Sequence, residues 1–203
     1  MQRQEPRSTG RKPYTTRYVK VKSTMMFTCQ RCGKCCSTGP NVALTVHDVI
    51  RLSLFLRIDP WSFIENYTNV IIGDIIPFIV LKSTNGVCPL LERKVNGEPV
   101  CVVYPARPLR CRLYPLIIEG GGVYADKECP GLGSGNEKRV PQQLILQYNL
   151  ERYETYRRLL DLVLVEGFEP LDALRTLIEE KLREALRGAK WANLDYIESL
   201  GSL

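Results

Sequence analysis

The stretch "TCQRCGKCCSTG", residues 28–39, places Cys29, Cys32, Cys35 and Cys36 within eight positions. Thiolate ligands have to converge on one point, and a C-x2-C spacing brings this about by aiming two sulfurs from a tight turn, with Gly33 free to bend the backbone. Cys29, Cys32 and Cys35 repeat that spacing twice. The same register holds three corners of a cubane in ferredoxin-type sites, where the fourth cysteine is often followed by proline. Four further cysteines lie downstream, Cys88, Cys101, Cys111 and Cys129, of which Cys88 and Cys129 precede proline. Adjacent side chains project differently, so one of Cys35 and Cys36 is expected to face another ligand set. Eight thiols fill two four-sulfur sites, or one site plus four thiols with other duties.

Eight cysteines in 203 residues is a high count for a reducing compartment, and metal binding explains it better than a disulfide framework. No apolar run is long enough to cross a bilayer or form a signal-peptide core, so the cytoplasm is the default and no membrane partner is expected. An iron–sulfur cluster, 4Fe-4S, is slightly favoured over zinc by the three-cysteine run and the Cys-Pro pairs.

A second cluster is "CVVYPARPLRCRLYP", residues 101–115, where Arg107, Arg110 and Arg112 surround Cys111. Cations beside a thiol favour the thiolate. Equally, Arg107-Pro108 can hold a turn, its guanidinium bonding to backbone carbonyls or to Asp126. The single histidine, His47, reads as a surface or capping residue and stays outside the ligand set.

Around these motifs the chain reads as α+β. Thr45 caps a helix whose apolar face is Val49, Leu52, Phe55 and Leu56; Asp59-Pro60 ends it, and Pro60 opens a second helix through Trp61, Ile64 and Tyr67. Residues 75–126 read as a small antiparallel β-meander with reversals at Asn85-Gly86, Asn96-Gly97 and Gly120-Gly121-Gly122. It carries Cys88 and Cys101 on neighbouring strands and Cys111 just before a third. Residues 129–141 read as a Gly-rich loop. Beyond it come helices with one face of Ile145, Tyr148, Tyr153, Tyr156, Leu160 and Val163, the tyrosines as core, and another of Leu171, Leu174, Leu177, Ile178, Leu182 and Leu186, stopping at Gly188. The expected organisation is a basic flexible arm over 1–22, a Cys-cluster domain over 23–140 and C-terminal helices over 141–203 packed on it.

The arm carries seven Lys or Arg against one acid, which accounts for the whole net charge of +6. A solvated tail is the plain reading; RNA, the ribosome or a protein is the partner such an arm would take.

In sequence, "CGKCCSTGPNVALTVHDVIRL", "CPLLE", "CVVYPARPLRCRLYP" and "CPG" together resemble the YkgJ-type cysteine-cluster family, described as zinc- or iron-chelating, over about residues 27–131. The resemblance implies metal binding by Cys29, Cys32, Cys35, Cys36, Cys88, Cys101, Cys111 and Cys129, with Arg107 and Arg112 in support. That family is similar in turn to flagellin lysine N-methylases, which use S-adenosylmethionine in longer chains. This chain has no glycine-rich strand-to-helix turn of the methyl-donor kind. Three functions stand in order: a metal-binding protein, a methylase-like enzyme in which the cluster is structural or redox-active, and an RNA- or ribosome-associated factor using residues 1–22.

Overall fold

The computed structural model describes residues 17–38, 42–201 and 203. Strands β1 (Tyr18–Val21) and β2 (Thr24–Phe27) come first, then a one-turn helix α1 (Lys34–Ser37) inside the cysteine run and the short β3 (Ala43–Leu44). Helix α2 (Val46–Leu56) starts at Thr45, as the sequence predicts. Thr45 Oγ1 accepts from Asp48 N at 3.0 Å while the Asp48 carboxylate accepts from Thr45 N at 3.2 Å, so two amides without helical partners are satisfied reciprocally. Val46, Val49, Ile50 and Leu52 are fully buried. Phe55 is not: it is 37% exposed, because the 100° step per residue carries it past the apolar stripe.

Helix α3 (Pro60–Tyr67) is capped by Asp59, whose Oδ1 accepts from Trp61 N and Ser62 N, with Pro60 in the first position where a missing N–H costs nothing. Strands β4 (Thr68–Gly73) and β5 (Ile76–Leu81) form a hairpin, and β3 adds to the other edge of β5. Along β5, Pro77, Ile79 and Leu81 alternate toward the core and Phe78 faces outward; Ile76, at the start of the strand, is buried too. Thr84 and Val87 exchange both backbone bonds at 3.0 Å around Asn85-Gly86, whose φ of 51° and 79° suit the two-residue hairpin turn. Strands β6 (Leu91–Arg93) and β7 (Pro99–Cys101) close around Asn96-Gly97.

Helix α4 (Leu109–Leu113) leads to β8 (Leu116–Glu119) and β9 (Gly122–Asp126), and β1 pairs with β9 to give the order β1-β9-β8. Strand β10 (Leu132–Arg139) pairs with β2. The expected single meander is thus divided into small sheets, since β1, β2 and β3 from early in the chain take up strand edges. The loop expected over 129–141 is largely this β10. Gly133 and Gly135 adopt φ of 81° and 74°, and a register shift between Leu132 and Glu137 absorbs them as a bulge.

Helix α5 (Gln142–Leu160) runs into a π-helical turn at Asp161–Val165; α6 (Pro170–Leu186) and α7 (Leu194–Ser199) follow. Gly188, φ 86°, stops α6. The tyrosine stripe corrects the sequence reading. Tyr148 is buried, but Tyr153 and Tyr156 are 59% and 49% exposed, lining a cavity of about 550 Å³ with Ile76 and Phe78. Leu144, Ile145 and Leu159 form the packing face instead. Leu171 and Leu186 likewise face outward, leaving Ala173, Leu174, Leu177 and Ile178 as the buried side of α6.

The buried side chains form two cores. One lies among α2, α3, β5, α6 and the end of α5; the other among β1, α4, β8, β9, α7 and the start of α5. The basic arm expected over residues 1–22 falls outside the described residues up to 16; its end is β1, and Arg17 makes a two-pronged bond to Asp126 at 3.2 and 2.8 Å. Among the described residues no helix is long and apolar enough to cross a membrane.

Candidate metal centre

The cysteine run is positioned at both ends by close backbone approach. Gly33 sits at the N-terminus of α1 with φ 70°, and a Cβ there would lie 2.7 Å from Pro99 Cβ, so only glycine lets the run lie against β7. At the other end Thr28 N donates to Gly131 O at 3.2 Å, and a Cβ on Gly131 would stand 2.3 Å from Thr28 O. Gln30 Nε2 donates to Pro130 O at 3.0 Å and Lys34 Nζ to Glu128 O at 2.8 Å. The run therefore spans from the turn that carries Cys129 to the hairpin that carries Cys101.

Cys36 O accepts from Cys88 N at 2.7 Å, and Cys88 O accepts from Leu91 N at 3.1 Å. Leu91 pairs with Cys101 across β6 and β7. Cys88 lies just ahead of β6 and not on a strand as expected, and Cys111 lies inside α4, shortly before β8. Cys29, Cys32 and Cys35 are exposed; Cys36, Cys101 and Cys111 are half-buried; Cys88 and Cys129 are buried. All eight are free thiols.

Electrostatics single out one thiol. Cys35 Sγ lies 3.8 Å from Cys36 Sγ, and the bond from Cys36 lowers the Cys35 thiol to about 7 against the cost of burial, with help from the charge of Arg107. Cys36, as donor and by burial, is pushed up. Burial also pushes up Cys88, Cys101, Cys111 and Cys129. The expectation that arginines around Cys111 would favour its thiolate is overturned: burial and the charges at Cys88, Cys35 and Cys101 oppose it. Those arginines are occupied elsewhere. Arg110 bonds Leu116 O, and Arg112, 2% exposed, bonds Glu198 at 2.5 Å and Pro105 O. Arg107 bonds Tyr104 O at 2.9 Å and stacks on the Tyr104 ring at 3.9 Å, holding a turn as the alternative reading had it. Asp126 is held by Arg17 instead.

Among the described residues no three Cys, His, Asp or Glu side chains stand close enough to form a closed ligand set. The donors are of the type a thiophilic metal takes, and the charge at Cys35 acts on Cys88, Cys101, Cys111 and Cys129.

Two features escaped the sequence reading. His47 is 1% exposed, edge-on to Trp191 with ring centres 4.6 Å apart, not a surface residue. Arg51 is 2% exposed and bonds Glu151 with both Nη atoms at 2.7 Å, Asp48 Oδ1 at 2.7 Å and Trp191 O at 2.9 Å. Asp48 Oδ1 also accepts from Leu109 N at 3.1 Å, so the network fixes the start of α4 and with it Cys111. Its one sequence signal is an Asp and an Arg one turn apart in an otherwise apolar helix start.

Five separated segments of the fold carry the eight cysteines. The chain belongs to the CxxCxxCC family, described as "Putative zinc- or iron-chelating domain", whose model matches residues 28–130. It is similar to an uncharacterized protein of Methanocaldococcus jannaschii, MJ0661, at 31% identity over 96 residues. The match covers 46% of this chain and 46% of that relative, so the shared part is about half of each. No solved structure matches the chain.

Proposed function

We propose that this protein binds metal through Cys29, Cys32, Cys35, Cys36, Cys88, Cys101, Cys111 and Cys129, as an iron–sulfur cluster or as zinc, in a reducing compartment such as the cytoplasm. The observation that supports the reading is that hydrogen bonds join cysteine-bearing segments distant in sequence, Cys36 to Cys88 and the stretch around Cys29 and Cys32 to the turn that carries Cys129, with all eight thiols free. Cys35, easily ionised, is the natural first ligand. Arg107, whose charge acts on Cys35 and Cys101, would offset the negative charge that several thiolates accumulate around an ion.

The test is metal and acid-labile sulfide content, with the visible spectrum, of protein purified without oxygen. About four iron with matching sulfide and a brown chromophore identifies a cubane; colourless protein with zinc identifies a structural chelate. Protein that carries no metal and takes up neither zinc nor iron sinks the proposal.

A further inference from the structure

Helix α5 turns one face toward β3, β5 and α6 without closing on them. Tyr148, Arg152 and Tyr156 follow at four-residue steps along it, with Asn149 and Tyr153 beside them at the same step, so the helical period puts all five on one side. With Phe78 they line the cavity of about 550 Å³, a size within the roughly 300–1,000 Å³ of small-ligand sites. Leu159 and Leu174, both fully buried, line it as well. None of the eight cysteines borders it, so it is separate from the metal centre.

The lining is apolar and aromatic apart from a few polar groups, and among the described residues its single charged side chain is Arg152. No acid borders the cavity, and Arg152 makes no ion pair among the described residues. Its guanidinium carbon lies over the Tyr148 ring, 5.3 Å from the centroid. A guanidinium held on a ring face keeps its N–H edge free for a planar, two-oxygen anion. Thr155 also borders the cavity, and its buried hydroxyl has no hydrogen-bond partner among the described residues, so the protein does not itself complete the polar side of this wall.

We infer that this cavity binds a medium-chain monocarboxylate, with its carboxylate on Arg152 beside Asn149 and its apolar body against Phe78, Tyr153 and Tyr156. One guanidinium neutralises one negative charge. A phosphate monoester, close to dianionic at neutral pH, would keep an unmatched charge against an apolar wall. A neutral occupant leaves the guanidinium unused, and a cation is repelled by it. From Arg152 to Leu159 the helix rises about 10 Å, which suits the extended length of a medium-chain acyl group. The site stands on residues other than the cysteines and does not depend on the metal-binding reading.

The experiment is equilibrium dialysis of the full chain, at constant metal loading, against radiolabelled decanoate below its micellar range, with decanol and decyl phosphate as competitors. Decanoate should saturate at one per chain and bind more tightly than either competitor. Arg152 is exposed, so Arg152→Gln should fold; it should weaken decanoate by roughly tenfold or more, the loss of a charge-assisted pair, and leave decanol unchanged. Tyr156→Ser, at another exposed position, should weaken both. Decanoate uptake that is absent or never saturates overturns the site. Equal affinity for decanoate and decanol in the unaltered chain overturns recognition of the carboxylate and requires no variant to fold. Tighter binding of decyl phosphate overturns the choice of headgroup. Decanoate affinity unchanged in both Arg152→Gln and Tyr156→Ser puts the ligand outside this cavity and overturns the assignment.

Discussion

Replacing Glu151 by Gln keeps the volume of the side chain and removes the charge that faces Arg51. The carboxylate accepts both Nη groups at 2.7 Å, a bond from Gln147 at 3.0 Å and one from Thr45 Oγ1 at 3.3 Å, all in a site where Arg51 and Glu151 are about 1% exposed. A glutamine can offer one acceptor and would set an amide NH2 against a guanidinium. Removing one partner of a buried ion pair costs about 3–5 kcal/mol. The lower end applies, because Asp48 and Trp191 O still hold Arg51. For a chain of this size about 3 kcal/mol corresponds to a fall of roughly 6–12 °C in Tm, read by far-UV circular dichroism at pH 7 and constant metal loading. The double variant Arg51→Met with Glu151→Leu should recover part of the loss, giving a coupling above about 1 kcal/mol in the cycle. A Glu151→Gln Tm within about 2 °C of the parent, or singles that add within about 0.5 kcal/mol, would refute the idea that this triad supports the base of α4.

His47 should make stability depend on acidity. Burial, Lys181 and Arg51 depress its imidazole from 6.5 to about 3, opposed by Asp48; Glu154 lies 3.2 Å from Nε2 but outside hydrogen-bonding alignment and partly exposed, so it does not reverse the balance. The unfolded chain then binds the extra proton, so the stabilisation is full above 6.5 and declines as pH falls toward 3, at up to about 1.4 kcal/mol per pH unit; His47→Gln should flatten that slope in urea unfolding, and an unchanged slope disproves the account. Gly33→Ala meets both a left-handed backbone, about 1–2 kcal/mol, and the Pro99 ring, so metal per chain should drop; full metal content with an unaltered Tm counts against the docking of the run on β7. Tyr153→Ser and Tyr156→Ser should each stay within about 0.5 kcal/mol of the parent while Leu174→Ala loses about 2–5 kcal/mol; a large loss at either tyrosine would restore the stripe to the core.

Local signals read correctly wherever the physics is local. Thr45 with Asp48, Asp59 with Pro60, Asn85-Gly86 and Gly188 act through bonds within four residues or through a single backbone angle, and each appears where the sequence places it. The family was legible in the cysteine run because its spacing and residue type are local, and the family model spans the run and the later cysteines. What was hidden depends on distant residues. Glu151 meets Arg51 across 100 positions, and nothing in its helix marks it as buried. "LGSGNEKR" has neither alternation nor β-branched residues, and becomes a strand only because β2 supplies its partners. Tyr153 and Tyr156 keep helical spacing yet face out, since period alone does not say which side of α5 meets α2. The direction of the Cys111 shift required knowing that its neighbouring arginines turn away to Leu116, Glu198 and Pro105.

The pairings of β1 with β9 and β2 with β10 have a consequence for biosynthesis. At ribosomal rates of about 5–20 residues per second, strands that pair across roughly 100 positions wait on the order of 5–20 s for their partners. Cys29, Cys32, Cys35 and Cys36 emerge at the start of that interval, and Cys129 only at its end. A nascent chain therefore presents these four thiols before the strands that pair with β1 and β2 have been made. Excising residues 28–130 alone would make the exposure permanent, since both early strands lie outside that segment.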